Sequence, residues 1–124
     1  MSHPEFTCTV VPTYLEDQSN PAENEYAWSY TVTISNTGDM PAQLVGRHWT
    51  IVDAAGRTEE VRGLAVVGHQ PVLKPGEKFE YTSWTRLATP HGTMEGTYFC
   101  MTADARWFEA RIPMFGLARS NSLH

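Results

Sequence analysis

Arg47, His48 and Trp49 stand side by side in this chain of 124 residues. A guanidinium, an imidazole and an indole so close together could hold an anion or move a proton. On an extended strand neighbouring side chains point to opposite faces, so Arg47 and Trp49 share one face and His48 takes the other. If Trp49 is in the core, Arg47 is drawn to the core margin and needs an acidic or carbonyl partner there. Arg47 can then be read as an anion ligand, or as a structural ion pair or cation–π partner, and the second is the expectation. Downstream, Gly63-Leu64-Ala65-Val66-Val67-Gly68 has the outline of a phosphate-binding loop, with Arg62 beside it. A dinucleotide fingerprint needs a middle glycine so that the backbone can approach the phosphate. It also needs a strand before the loop and a helix after it, whose N-terminal N–H groups hold the anion. Here the middle position is Ala65 and no helix is predicted, so the expected reading is a bent loop between strands.

His69 and His91 fall in predicted loops beside glycine and proline, where functional residues concentrate. With a carboxylate such as Asp104 they are the raw material for a metal site. Their spacing matches no structural zinc pattern, and Cys8 and Cys100 do not form a Cys-x-x-Cys pair. No metal and no cofactor are therefore expected. Neither a Gly-x-Ser-x-Gly elbow nor a cysteine with an identifiable base is present, and Glu59, Glu60 and Glu77 read as solvated strand-end charges, so no enzyme is expected. Trp84, Trp107 and Phe108 remain. Trp84 alternates out of phase with Phe79 and Tyr81; facing outward near Phe108, it would make an apolar patch of the kind that marks a protein interface.

The elements that must position these residues follow from composition and periodicity. Hydrophobic residues make up 41% and aromatic residues 11%, enough for one domain with a core. The formal net charge is −5 and no basic run occurs, which excludes a nucleic-acid backbone or an anionic membrane surface as the main partner. No signal peptide is recognisable, no apolar run can span a bilayer, and the two cysteines fall on separate predicted strands. A cytoplasmic chain with two reduced thiols is the expectation.

Tyr26, Trp28, Tyr30, Val32 and Ile34 alternate with Ala27, Ser29, Thr31 and Thr33, the period-two pattern of a strand with one buried face. Phe6 to Leu15 reads as a first strand, with Pro12 marking an edge or a bulge. Further strands are predicted at Leu44 to Asp53, Thr58 to Arg62, Lys78 to Arg86, Gly96 to Thr102 and Arg106 to Pro113. Turns fall at Ala54 to Arg57, at Lys74-Pro75-Gly76 and at Pro90-His91-Gly92. About seven short strands with no long helix predict an all-β, immunoglobulin-like or fibronectin type III-like sandwich. Trp49 occupies the place of a core Trp. Tyr98, two residues before Cys100, has the spacing of a tyrosine corner, whose hydroxyl bonds back to the chain. The core should run from about residue 6 to 117, with Ala118 to His124 a loose tail.

Several stretches, in order, carry a family resemblance: Arg47-His48-Trp49-Thr50-Ile51, Val66-Val67-Gly68-His69-Gln70-Pro71-Val72-Leu73-Lys74-Pro75-Gly76, Phe79-Glu80-Tyr81-Thr82-Ser83, Leu87 to Tyr98, and Ile112-Pro113-Met114-Phe115. Together they resemble the bacterial ApaG domain family over about residues 11 to 117. The resemblance implies the same sandwich. Related domains occur in F-box proteins and in a DNA-polymerase-delta-interacting protein, company that implies protein–protein recognition. The resemblance also associates the chain with cobalt resistance and magnesium efflux, and it brings the suggestion of a nucleotide or pyrophosphate role for the glycine-rich loop. The leading expectation is a non-enzymatic module for an unidentified protein partner, with a surface drawn from Trp84, Trp107, Phe108, His69 and His91. A homodimer through an exposed sheet edge is possible on the same grounds. The alternative is a small-anion or nucleotide-binding protein using Gly63, Gly68, Arg47 and Arg62.

Overall fold

The computed structural model describes residues 2–119. Strand β2 (Tyr26–Asn36) is the centre of the first sheet, and its alternation is the one expected except at Ala27, which is buried as well. Tyr26, Trp28, Tyr30, Val32, Ile34 and Asn36 are buried, while Ser29, Thr31, Thr33 and Ser35 are only partly covered. β1 (Phe6–Tyr14) pairs antiparallel on one side of β2 and β6 (Lys78–Leu87) on the other. Pro12 is tolerated because β1 is an edge strand, with no outer neighbour that needs its missing N–H. The second sheet has the order β4 (Thr58–Leu64), β3 (Ala42–Asp53), β7 (His91–Thr102), β8 (Trp107–Ala118), and β5 (Val72–Leu73) also pairs with β3. Two antiparallel sheets closing over one aromatic core make the predicted β-sandwich.

Several boundaries differ from the expectation. The described residues form eight strands rather than about seven, because the two-residue β5 has too little sequence to show a period. His91 is not in a loop: β7 starts there, and Gly92 extends the pairing by lying opposite Asp53. β8 runs past Pro113 to Ala118. The register with β7 shifts between Met94 and Gly96, and such an irregularity accepts a residue without an N–H. Ala118 is therefore not part of a loose tail; it ends β8, and its carbonyl accepts the Trp28 indole N–H at 2.7 Å. Residues 120–124 of that predicted tail lie outside the described residues.

Trp49 is buried, as expected, and packs edge-on against Tyr30, Tyr98 and Phe115. Tyr98 is fully buried but forms no tyrosine corner. Its hydroxyl bonds the Tyr81 hydroxyl of the opposite sheet, so it pins the two layers together through the core rather than pinning a loop. Cys8 and Cys100 are free thiols on opposite sheets, both buried, and burial pushes each up to about 12. Such thiols carry almost no thiolate at neutral pH and act as small core residues.

Candidate binding site between the sheets

The sandwich is closed along one side and open along the other. On the closed side β1 packs against β8, where the Phe6 and Phe108 rings meet edge-on at 5.4 Å. On the open side lie β6 and β4, each paired on one edge only. Between them is a groove of about 490 Å³. Its floor is the core cluster of Trp49, Tyr30 and Ile51. One wall is β6, with Tyr81, Ser83 and Thr85, and the other is Glu59 and Val61 of β4 with Val66 and Val67 of the loop that follows.

Strand pairing explains which charges enter. Arg47, Trp49 and Ile51 of β3 stand opposite Gly63, Val61 and Glu59 of β4, and all lie on the inner face. His48 and Arg62 stand opposite each other on the outer face. There the His48 imidazole lies 2.7 Å from Glu60, with Arg62 at 3.5 Å from the same carboxylate. The hydrogen bond from His48 holds the Glu60 carboxyl below its usual range. Arg62 is thus not beside Arg47, contrary to the grouping drawn from the sequence: alternation sends the two guanidinium groups to opposite faces of one sheet.

Arg47 meets the need foreseen for it. Its Nη1 donates to the carbonyls of Leu64 at 3.1 Å and Ala65 at 3.2 Å. It makes no ion pair, and among the described residues its remaining N–H groups have no protein partner and are not buried, so they face the groove. Gly63 makes this posture possible, because a Cβ there would lie 2.6 Å from Nη1. The sequence reading missed Arg86, which lies at the mouth of the groove on the exposed phase of β6 and makes no ion pair among the described residues either. Nothing in its setting, at the exposed end of a predicted strand, distinguished it from a solvated charge.

The glycine-rich loop has its own account. Val66 and His69 exchange backbone hydrogen bonds of 2.8 and 2.9 Å, and the two residues between them, Val67 and Gly68, have φ of +48° and +80°. Positive φ at both central positions is the type I′ arrangement. Ala65, at φ +68°, occupies a third left-handed position. Gly63 makes room for Arg47, residue 65 needs the backbone freedom of glycine, and Gly68 completes the turn. The N–H groups of Ala65, Val66 and His69 are all spent on protein carbonyls, and no helix follows. Turn geometry therefore accounts for the spacing. Val67 is a β-branched residue in a left-handed conformation, 58% exposed. Val67→Asn is expected to raise stability by about 1 kcal/mol, read as a higher urea midpoint at unchanged slope, because asparagine tolerates that conformation.

The other predicted residues do not converge. His69 lies against Phe79, ring centres 5.7 Å apart. His91 begins β7, whereas Asp104 lies beyond its far end, bonded to Thr102 and Arg106. No group of three or more His, Cys, Asp or Glu side chains able to hold a metal occurs among the described residues. Trp84 is 63% exposed on β6, as its phase predicted. It makes no patch with Phe108, because β6 borders the open side of the sandwich and Phe108 the closed side. Trp107, equally exposed, belongs to a cross-strand row on the second sheet with Met101, Gln43 and Val72. No helix among the described residues is long and apolar enough to cross a membrane.

Comparison with known proteins agrees with the fold. A family model described as the ApaG domain matches residues 16–102. The chain is 56% identical to Protein ApaG of Ralstonia nicotianae over 124 residues, all of both chains. It is 51% identical to Protein ApaG of Bordetella pertussis over 120 residues, covering 97% of this chain and 92% of that one. A crystal structure of the putative ApaA protein from Bordetella pertussis superposes with a TM-score of 0.93 at 50% identity, covering 96% of this chain and 97% of the other.

Proposed function

The chain belongs to the ApaG domain family, and from that premise we propose that it is a non-enzymatic binding module that takes an extended segment of a partner protein into the groove between its sheets. The observation that carries this reading is the open side of the sandwich. Two strand edges without neighbours, β4 and β6, flank a groove whose floor is the aromatic core. An added strand would find backbone donors and acceptors on either edge, with alternate side chains reaching the floor. Exposed Trp84 on one wall and exposed Val67 on the other supply apolar contact at the rim. The charged side chains along both strands, including Lys78, Glu80, Glu59 and Glu60, are of the kind that blunts edge-to-edge pairing, which disfavours a homodimer through these edges.

A binding role fits the chemistry of the groove better than catalysis. Its Tyr30 and Tyr81 hydroxyls are pushed up by burial, so neither is a ready base or nucleophile. The link to cobalt and magnesium homeostasis then runs through the partner, since His69, His91 and Asp104 lie apart. The free thiols of Cys8 and Cys100 support a reducing, cytoplasmic setting. A second reading, a small-anion site, keeps one observation in its favour: Arg47 has no carboxylate partner. It would use Arg47 with Arg86, not Arg62 with the glycine loop.

Trp84→Ala is expected to abolish affinity capture of the partner from native cytosol while changing stability by less than about 0.5 kcal/mol, because the side chain lies at the surface. Undiminished capture by this variant would move the interface off the groove. Calorimetry with pyrophosphate is expected to be silent, and a heat signal lost in Arg47→Ala would favour the small-anion reading instead.

A further inference from the structure

Within that protein-binding reading, we propose that the segment taken up is acidic, with a carboxylate docked on Arg47. The Arg47 guanidinium faces the groove and Arg86 adds a second positive charge at its mouth, against one carboxylate, Glu59, and among the described residues neither arginine is within ion-pair distance of an acidic group. Arg47 is also held in place. Two backbone carbonyls fix one of its nitrogens, and the missing side chain at Gly63 lets the guanidinium lie against β4. A positioned guanidinium presents its other donors as a planar fork, which matches a carboxylate and holds it in two parallel hydrogen bonds. Around it the groove is lined by Ser83 and Thr85 of β6, with Trp49 beneath as an apolar floor. A carboxylate that reaches Arg47 is thus partly removed from water, where a charged hydrogen bond counts for more than at an open surface. Side chains of an extended segment that point to one face recur every second residue, so an acidic residue can address Arg47 while apolar neighbours meet Trp84 and Val67 at the rim. Glu59 and Arg86 both border the mouth, where their charges offset, which leaves Arg47 as the anchor.

The test uses the full chain and two fluorescein-labelled heptapeptides with blocked ends, one alternating glutamate with valine and the other glutamine with valine. Binding is followed by anisotropy and by amide shifts along β4 and β6. The glutamate peptide is expected to bind at least about tenfold more tightly, to weaken as salt rises, and to lose that advantage in Arg47→Met. Gly63→Ala provides a variant that keeps every charge. Its Cβ displaces only the flexible end of Arg47, so the fold should survive, shown by an unchanged amide spectrum elsewhere, and the preference for glutamate should fall with it. Equal binding of the two peptides, insensitive to Arg47→Met, overturns the acidic preference and leaves the groove as a peptide site. Failure of both peptides to shift β4 and β6 overturns the peptide-groove reading and this inference together. Pyrophosphate displacing the glutamate peptide at equal or lower concentration also overturns it, in favour of a small-anion site.

Discussion

Trp49→Ala is expected to cost about 3–5 kcal/mol of folding stability, measured as the shift in urea midpoint multiplied by the slope. Trp49 is 3% exposed and central to both the core and the groove. Its ring meets Tyr30 of the opposite sheet at 5.3 Å, Phe115 of β8 at 6.0 Å and Tyr98 of β7 at 6.4 Å, each in an edge-to-face or near edge-to-face arrangement. Deletion removes the burial of a large aromatic and three ring–ring contacts, and it opens the cavity at the point where the two sheets already stand apart. Tyr81 of β6 already reaches across to Tyr98 and is held there by its hydroxyl bond, so the site has little capacity to collapse. Trp49→Phe keeps an aromatic floor and should recover more than half of the loss. A cost for Trp49→Ala no larger than that of the exposed Trp84→Ala would mean that the two sheets do not close over this ring.

The prominence of Trp49 was legible in the sequence because its strand alternates: Trp49 and Ile51 are in phase, and a period of two assigns both to one face. The same rule found the buried face of β2 and the exposed Trp84 of β6. It failed where position along the chain carries no information about neighbours across the sheet. Arg47 and Arg62 were grouped as anion ligands for the glycine-rich loop, yet antiparallel pairing puts Arg62 opposite His48 and leaves Gly63 opposite Arg47. Arg86 was invisible for the converse reason, being distant in sequence from β3 and near it only because the open sides of both sheets face each other. Strand order decides such matters, and one sequence does not contain strand order. The proposed pairing of Trp84 with Phe108 failed on the same ground, since β6 and β8 border opposite sides of the sandwich.

The glycine-rich loop shows a subtler limit. Its spacing resembled a nucleotide fingerprint, and the absence of a predicted helix argued correctly for a bent loop. What the sequence could not show is the demand each position makes. Residue 63 must lack a Cβ because Arg47 crosses it, whereas residues 65, 67 and 68 have left-handed backbones. Two of those three are alanine and valine, so the chain holds strain beside the groove that glycine or asparagine would relieve. Val67 presents its side chain at the rim of the groove, and the strain coincides with an exposed apolar contact.

Asn36→Asp is expected to destabilise the fold by about 3–5 kcal/mol near neutral pH, although the two side chains have nearly the same shape. Asn36 is 2% exposed at the end of β2. Its Nδ2 donates to the carbonyls of Met40 at 2.9 Å and Leu73 at 2.8 Å, and its Oδ1 accepts from the Gly38 N–H at 2.9 Å. Leu73 belongs to β5 of the second sheet, so this amide ties the first sheet to the second and to the turn leading into β3. An aspartate keeps the acceptor for Gly38 but turns a carboxylate oxygen toward two carbonyl oxygens, taking the Nδ2 donor from both and leaving a charge out of water. That environment raises the folded-state pKa of the new carboxyl above its unfolded value. The penalty must then be smallest at pH below the unfolded pKa, where the protonated acid can still donate one hydrogen bond, and it must grow as pH rises through the folded pKa. Urea midpoints of Asn36→Asp and the parent chain should therefore diverge from pH 4 to pH 8. A constant gap across that range, or none, would show that residue 36 stands in water and does not join the two sheets.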